Sequence, residues 1–181
     1  MQAVFFSDAH LQNATDANYI KLLQWLETLV VEQVFIVGDL FDYSWNYKGY
    51  IPSNLVPIVN CIQHLSQKGT HFTFLKGNRD FNLIDMGISI DIKDEIIIET
   101  NGKKLLIAHG DQADRTLNYR FFSSLIRSKP FDMYMNYIGP EKGYALLQKM
   151  ATTSRHKTSN HNQILEAQIK WAQQKIYSGI D

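Results

Sequence analysis

The sequence holds a single cysteine, Cys61, among 181 residues, so it can form neither an internal disulfide nor a cysteine-based zinc site. It has four prolines and no apolar run near the ~18 residues that a membrane-spanning helix needs. Met1-Gln2-Ala3-Val4-Phe5-Phe6 reads as a strand and not as a secretory leader, which makes the cytosol the expected compartment. No internal repeat or low-complexity linker is present. Net charge is absent too: 18 Lys and Arg balance 18 Asp and Glu, which speaks against a general nucleic-acid binder. What is present is 45% hydrophobic residues, enough to build the core of a globular domain.

The neutral total hides an asymmetry. Residues 1–114 carry 8 Lys and Arg against 14 Asp and Glu, whereas residues 115–157 carry 8 against 2. An acidic half joined to a short basic segment points to a cation site in the first and an anion-facing surface in the second.

The spacing of apolar residues predicts a strand over 2–7, a helix from Asp16 to about Val30, and a strand over Val34–Val37. A helix from about Pro52 to Gln67 follows, then a strand over His71–Leu75. This β-α-β-α-β rhythm belongs to a parallel sheet with crossover helices. Glu95–Glu99 and Lys103–Ile107 flank Asn101-Gly102, a strong hairpin signal. Beyond Asp114 the pattern is helical, over roughly 116–128, 141–152 and 160–177, with breaks expected at Pro130 and Pro140.

Each apolar strand ends in potential metal ligands. The first runs into Asp8-Ala9-His10, the second into Gly38-Asp39-Leu40-Phe41-Asp42, and the third into Gly77-Asn78-Arg79-Asp80. The return strand of the hairpin runs into His109-Gly110-Asp111. In open α/β sheets ligands collect outside the carboxyl ends of strands, so these ends can deliver Asp, His, Asp, Asn and His to one place. Carboxylate, carboxamide and imidazole suit manganese, iron or zinc, and no thiolate competes for a softer metal. Asp39 follows a glycine that lets the backbone turn sharply, which makes it the natural carboxylate to bridge two ions. His64 and His71 have no comparable context and read as structural.

The ordered set Asp8-x-His10, Gly38-Asp39-x-x-Asp42, Gly77-Asn78-Arg79-Asp80 and His109-Gly110-Asp111 resembles the calcineurin-like metallophosphoesterases. Within them it is most similar to the branch of UDP-2,3-diacylglucosamine pyrophosphohydrolases of lipid A synthesis. The resemblance implies a four-layer α-β-β-α sandwich with a helical cap insertion. It also implies two divalent ions, Mn2+ foremost, with Asp8 and His10 on one, Asn78 and His109 on the other, and Asp39 between them. Such a pair of ions lowers the pKa of a water and neutralises charge on the phosphoryl oxygens.

Many relatives carry a histidine where this chain has Arg79. Arginine cannot deliver a proton at neutral pH, but it can clamp a phosphate bidentately. A phosphate leaving group hardly needs protonation, so Arg79 favours a pyrophosphate substrate over a simple ester. Residues 115–157 hold seven of the 22 aromatics and three of the five methionines, which suits a greasy anionic ligand; Phe121, Phe122 and Met135 are the expected contacts. By the resemblance this stretch is a cap for acyl chains, with Ser154 and Lys157 meeting the substrate head.

The implied organisation is a core over 1–114, a cap over 115–160 and a return helix over 161–181. The implied reaction splits UDP-2,3-diacylglucosamine into UMP and the lipid sugar 1-phosphate, in the cytoplasm and peripherally at the inner face of a membrane, with no nucleic acid involved. The family pattern also has a late Gly-His-x-His that these 181 residues lack, and the chain is therefore expected to be a truncated form with its last strands missing and weak metal occupancy. The competing readings are a phosphoesterase of the same fold acting on a soluble substrate, and a non-catalytic binding relative.

Overall fold

Ala3–Phe6 (β1), Gln33–Val37 (β2) and His71–Leu75 (β3) are short apolar runs whose side chains need cover on both faces, as in a parallel sheet. The structure, a computed structural model, describes residues 2–80, 82–113, 117–156, 161–177 and 179–180, with backbone alone at 117–120, 153–156 and 161–164. In it these strands pair in parallel, with Phe6 opposite Ile36 and Ile36 opposite Phe74. Asp8, Gly38 and Lys76 each lie two residues beyond those partners, so the register alone brings three ligand-bearing loops out at one edge of the sheet.

The crossover helices are Ala17–Glu27 (α1) and Val56–Gln67 (α2). α2 begins four residues later than the sequence predicts. Pro57, not Pro52, occupies its first turn, while Pro52 accepts the Leu55 N–H in the preceding turn. Ile58, Ile62 and Leu65 of α2 and Leu26 of α1 pack with Val34, Ile36, Phe72 and Phe74 in the main core. Each such burial contributes about 1.5–3 kcal/mol. The Tyr19 hydroxyl accepts the Ile58 N–H at 3.1 Å, which joins α1 to the start of α2 and satisfies an N–H that has no partner within the helix. Cys61 is free and buried, and burial pushes its thiol pKa up.

A short strand absent from the sequence reading, Asp91–Lys93 (β4), pairs parallel to β3 and completes the order β1-β2-β3-β4. All three of its residues are exposed, so it carries no apolar periodicity to read. Glu95–Thr100 (β5) and Lys103–Ala108 (β6) form the expected hairpin, with Asn101 and Gly102 both at positive φ. Of the four layers expected, the described residues supply one helical layer, the parallel sheet and this second, two-stranded sheet.

A 3-10 turn at Asp111–Ala113 leads to Leu117–Ile126 (α3), Lys129–His156 (α4) and His161–Tyr177 (α5). α4 runs through Pro130, where a break is expected from sequence. Pro130 falls in the first turn, where its missing N–H costs nothing. The break at Pro140 is real, and Gly139 there leaves helical geometry at φ +76°. Trp45, Tyr47, Ile126, Met135 and Leu147 form a second core between these helices and the loop after Asp42. The Tyr144 hydroxyl fastens it by donating to the Trp45 carbonyl at 2.9 Å. α5 is tied to the hairpin by Lys175, whose Nζ lies 2.6 Å from Glu95. No helix among the described residues is long and apolar enough to cross a membrane.

Candidate metal centre

Beyond β1 and β2 the two loops continue side by side. Asp8 N–H donates to the Gly38 carbonyl at 3.2 Å, His10 N–H to Asp39 at 3.0 Å, and Leu11 N–H to Leu40 at 2.9 Å. Asp8, His10 and Asp39 all adopt left-handed backbone, with φ of +54°, +45° and +54°. Such conformations cost of order 1 kcal/mol or more each and persist only where the surroundings impose them, typically at functional sites. Nothing in the sequence pattern announces this.

Two glycines make room for the centre. A Cβ on Gly38, at φ +80°, would overlap the His109 ring and come 2.9 Å from the Gly77 Cα. A Cβ on Gly77 would overlap the Asp39 carboxylate and lie 2.8 Å from the Asp39 nitrogen.

The five residues singled out in sequence come together. Asp8, Asp39 and His109 each offer a ligand atom within 4.8 Å of the others. Asp39 Oδ2 lies 3.9 Å from His10 Nε2 on one side and 3.7 Å from His109 Nε2 on the other. His10 Nε2 is also 3.9 Å from Asp8 Oδ1, and Asn78 Oδ1 is 3.4 Å from His109 Nε2. Oδ1 of Asp39 accepts the Arg79 N–H at 2.8 Å, which leaves Oδ2 turned toward the two imidazoles.

The orientation of His109 is also set from outside the cluster. Its Nδ1 lies 3.0 Å from the Val37 carbonyl, which can only accept, so Nδ1 carries the proton and the Nε2 lone pair faces Asp39 and Asn78. Nε2 of both histidines, Asp8 Oδ1, Asp39 Oδ2 and Asn78 Oδ1 thus gather with neighbouring separations of 3.4 to 3.9 Å. Oxygen and nitrogen ligands about 2.0–2.2 Å from a shared ion lie about 3–4 Å apart, so the donor set fits divalent cations in both chemistry and spacing.

The electrostatics agree. Burial pushes the Asp39 carboxyl up to about 6, against the opposing effects of the Arg79 N–H and of His109. Burial disfavours charge on His109, but Asp39, the Val37 carbonyl, Asp8 and Asp111 outweigh it and hold its pKa above the ordinary value. Burial also raises Asp80 to about 6, although two backbone N–H groups work against it. The site therefore draws positive charge, and protons take it up when no cation does.

A pH dependence follows. A group whose folded pKa is raised stabilises the fold below its unfolded pKa and loses that contribution as pH rises through the folded value. For Asp39 and Asp80 that window runs from about 4 to about 6. The metal-free protein should melt several degrees higher at pH 5 than at pH 7.5, and millimolar Mn2+ should remove most of the difference. Identical melting at both pH values in chelator would show that these carboxyls do not titrate as described.

Around the cluster, Gln12 Nε2 donates to Asp42 Oδ2 at 3.0 Å, and Asp42 Oδ1 lies 3.9 Å from His10 Nδ1. A cleft of about 430 Å³ opens beside it, lined by Asp8, His10, Gln12, Asp16 and Tyr19. A second, of about 340 Å³, shares Leu11 and Gln12 and runs between Tyr43, Tyr50 and Tyr144. Arg79 is half-buried, and among the described residues its guanidinium forms no ion pair. The neighbouring Asp80 is not its partner, because its side chain is buried and accepts backbone N–H groups.

The profile of the calcineurin-like phosphoesterases matches residues 1–149. The chain belongs to that family. Phosphoesterases are hydrolases, and this family implies divalent metal ions, in keeping with the cluster of Asp8, Asp39 and His109. Among relatives, the UDP-2,3-diacylglucosamine hydrolase of Porphyromonas gingivalis is 30% identical over 135 residues, covering 65% of this chain and 51% of the relative. That of Aliivibrio fischeri is 32% identical over 120 residues, 61% of this chain and 48% of the relative. That of Neisseria meningitidis is 31% identical over 138 residues, 70% and 56%. The chain spans about half the length of these curated relatives.

The cap residues fare differently. Met135 is fully buried between Trp45, Ile126 and Leu147, so it serves the second core and is no surface for a ligand. Phe121 and Met133 are 73% and 72% exposed and Phe122 41%. Ser154 lies near the end of α4, described by its backbone alone, and Lys157 lies outside the described residues. Sequence reasoning missed the Val37 carbonyl and the buried role of Asp80. Only the adjacency of Asp80 to Asn78-Arg79 marked the second.

Proposed function

We propose that this chain carries the metal centre of a pyrophosphohydrolase that splits UDP-2,3-diacylglucosamine into UMP and 2,3-diacylglucosamine 1-phosphate. The observation that carries the reading is Arg79: its backbone N–H fixes Asp39, and its guanidinium, on the same loop as Asn78, has no carboxylate partner among the described residues. The names of the relatives support the same substrate.

In this reading Asp8 and His10 would hold one ion and Asn78 and His109 the other, with Asp39 available to both. Two divalent ions, Mn2+ by our proposal, supply Lewis acidity and neutralise charge on the phosphoryl group. The rest is done by the chain. The Val37 carbonyl keeps the His109 Nε2 lone pair turned to the centre, and the Arg79 N–H turns Asp39 Oδ2 toward both imidazoles. The Arg79 guanidinium holds the departing phosphate bidentately. Residues 115–160 form a cap, 161–181 return to the core, and exposed Phe121 and Met133 among basic residues suit a diacylated anion at the inner face of a membrane, from the cytoplasmic side. Ser154 and Lys157 contact its head group.

The test compares UDP-2,3-diacylglucosamine with p-nitrophenyl phosphate in Mn2+, scoring UMP release from the first and p-nitrophenol release from the second. Preference for the lipid nucleotide supports the reading, and turnover of the soluble ester alone refutes it. Arg79→Ala should lower the rate on the diphosphate 10- to 100-fold, as the loss of ~1.5–3 kcal/mol of charged hydrogen bonding would. The aryl phosphate, with no second phosphate to clamp, should change less than about 3-fold. Equal losses on both would make Arg79 structural.

A further inference from the structure

Asp80 follows Asn78 and Arg79 in the loop after β3, and it is 2% exposed. One of its oxygens, Oδ2, accepts two backbone N–H groups, those of Asp39 and Gly77, each at 2.8 Å. The return bond runs from the Arg79 N–H to Asp39 Oδ1, also at 2.8 Å. Two of these hydrogen bonds tie the loop after β2 to the loop after β3, and both end on Asp39, while the third, from the Gly77 N–H, closes the second loop on itself. Asp39 is held at φ +54°, a left-handed conformation that costs an L-residue energy. A carboxylate accepting N–H groups is the strong, short kind of hydrogen bond suited to imposing it. The other oxygen, Oδ1, is buried without a hydrogen-bond partner. A half-satisfied buried carboxylate is a poor way to add stability, so the geometry it imposes is the better account of its presence.

We propose that Asp80 is a positioning residue: it clamps the Asp39 and Gly77 amides and thereby sets the placement of the carboxylate shared by both metal ions. The inference rests on the two-ion reading above and adds to it a residue that touches neither ion. Because its effect passes through Asp39, it must act on both ions together.

The experiment is calorimetric titration of the whole chain with Mn2+ at pH 7.5, paired with melting of the metal-free protein. Asp80→Ala should weaken both ions by about 10-fold or more, the usual cost of removing an outer partner of a ligand. Asp80→Asn keeps an amide oxygen for the two N–H groups and should stay within about 3-fold of the parent. Parental affinity in Asp80→Ala overturns the inference, as does weakening of one ion only or an Asn variant as weak as the Ala variant. If Asp80→Ala does not fold, amide exchange of the parent decides. Slow exchange at Asp39 and Gly77 supports the clamp, and exchange at the rate of open loops removes it. A parent chain that binds no Mn2+ refutes the two-ion reading and this inference with it, whereas tight binding with an indifferent Asp80→Ala refutes this inference alone.

Discussion

Replacing Asp39 with alanine should abolish detectable binding of both ions and lower hydrolysis by on the order of 10³-fold. The physical reason is that Oδ2 faces both imidazoles, at 3.9 Å from His10 and 3.7 Å from His109, so one side chain serves two sites. Losing the neutralisation that two ions give a phosphoryl group costs several kcal/mol, which sets the scale of the rate loss. The fold should not suffer in step. Asp39 is buried and its carboxyl is already pushed up to about 6, so at pH 7.5 it is a destabilising charge in the metal-free protein. Asp39→Asn, which keeps an acceptor for the Arg79 N–H, should therefore melt at or above the parent temperature without metal. Mn2+ titration and thermal melting of both variants check this. Two tight sites surviving in Asp39→Ala would show that the carboxylate is not shared.

Gly77→Ala is expected to have the next largest effect, although it adds one methyl group and removes no ligand. The new Cβ would overlap the Asp39 carboxylate and lie 2.8 Å from the Asp39 nitrogen, against backbone that cannot move aside cheaply. Overpacking of this kind costs about 1–3 kcal/mol, and here the strain is relieved by displacing Asp39. Mn2+ affinity should fall at least 10-fold and melting by about 3–10 °C. Gly49→Ala is the control: its Cβ meets nothing within 4 Å, so any effect comes from its positive φ and should leave Mn2+ binding unchanged. If Gly77→Ala binds Mn2+ like the parent, the two loops have more freedom than these contacts allow.

Much of the candidate centre was legible in sequence because its signals are local. A short apolar run must be a buried strand, a Gly-Asp pair after it must be a turn, and parallel strands in register present their carboxyl ends at one edge. That was enough to nominate Asp8, His10, Asp39, Asn78 and His109 before any distance was known, and Asn101-Gly102 likewise announced the hairpin at positions 95–108. Their roles as ligands remain the proposal that the titrations test.

What the tertiary structure decided concerns atoms and not residue types. It chose which oxygen of Asp39 faces the imidazoles, by giving the other to the Arg79 N–H. It turned His109 by means of a carbonyl 72 positions earlier in the chain, and made Asp80 a buried clamp on loops that begin at Gly38 and Gly77. It also took Met135 out of the expected ligand surface and gave it to Trp45 and Leu147. Each outcome depends on what long-range packing brings opposite a side chain. By itself the sequence determined a calcineurin-like arrangement of strand ends carrying cation-binding residue types. Packing alone decided which lone pairs face inward, because hydrogen-bond geometry falls off within a few tenths of an ångström and no spacing along a chain encodes that.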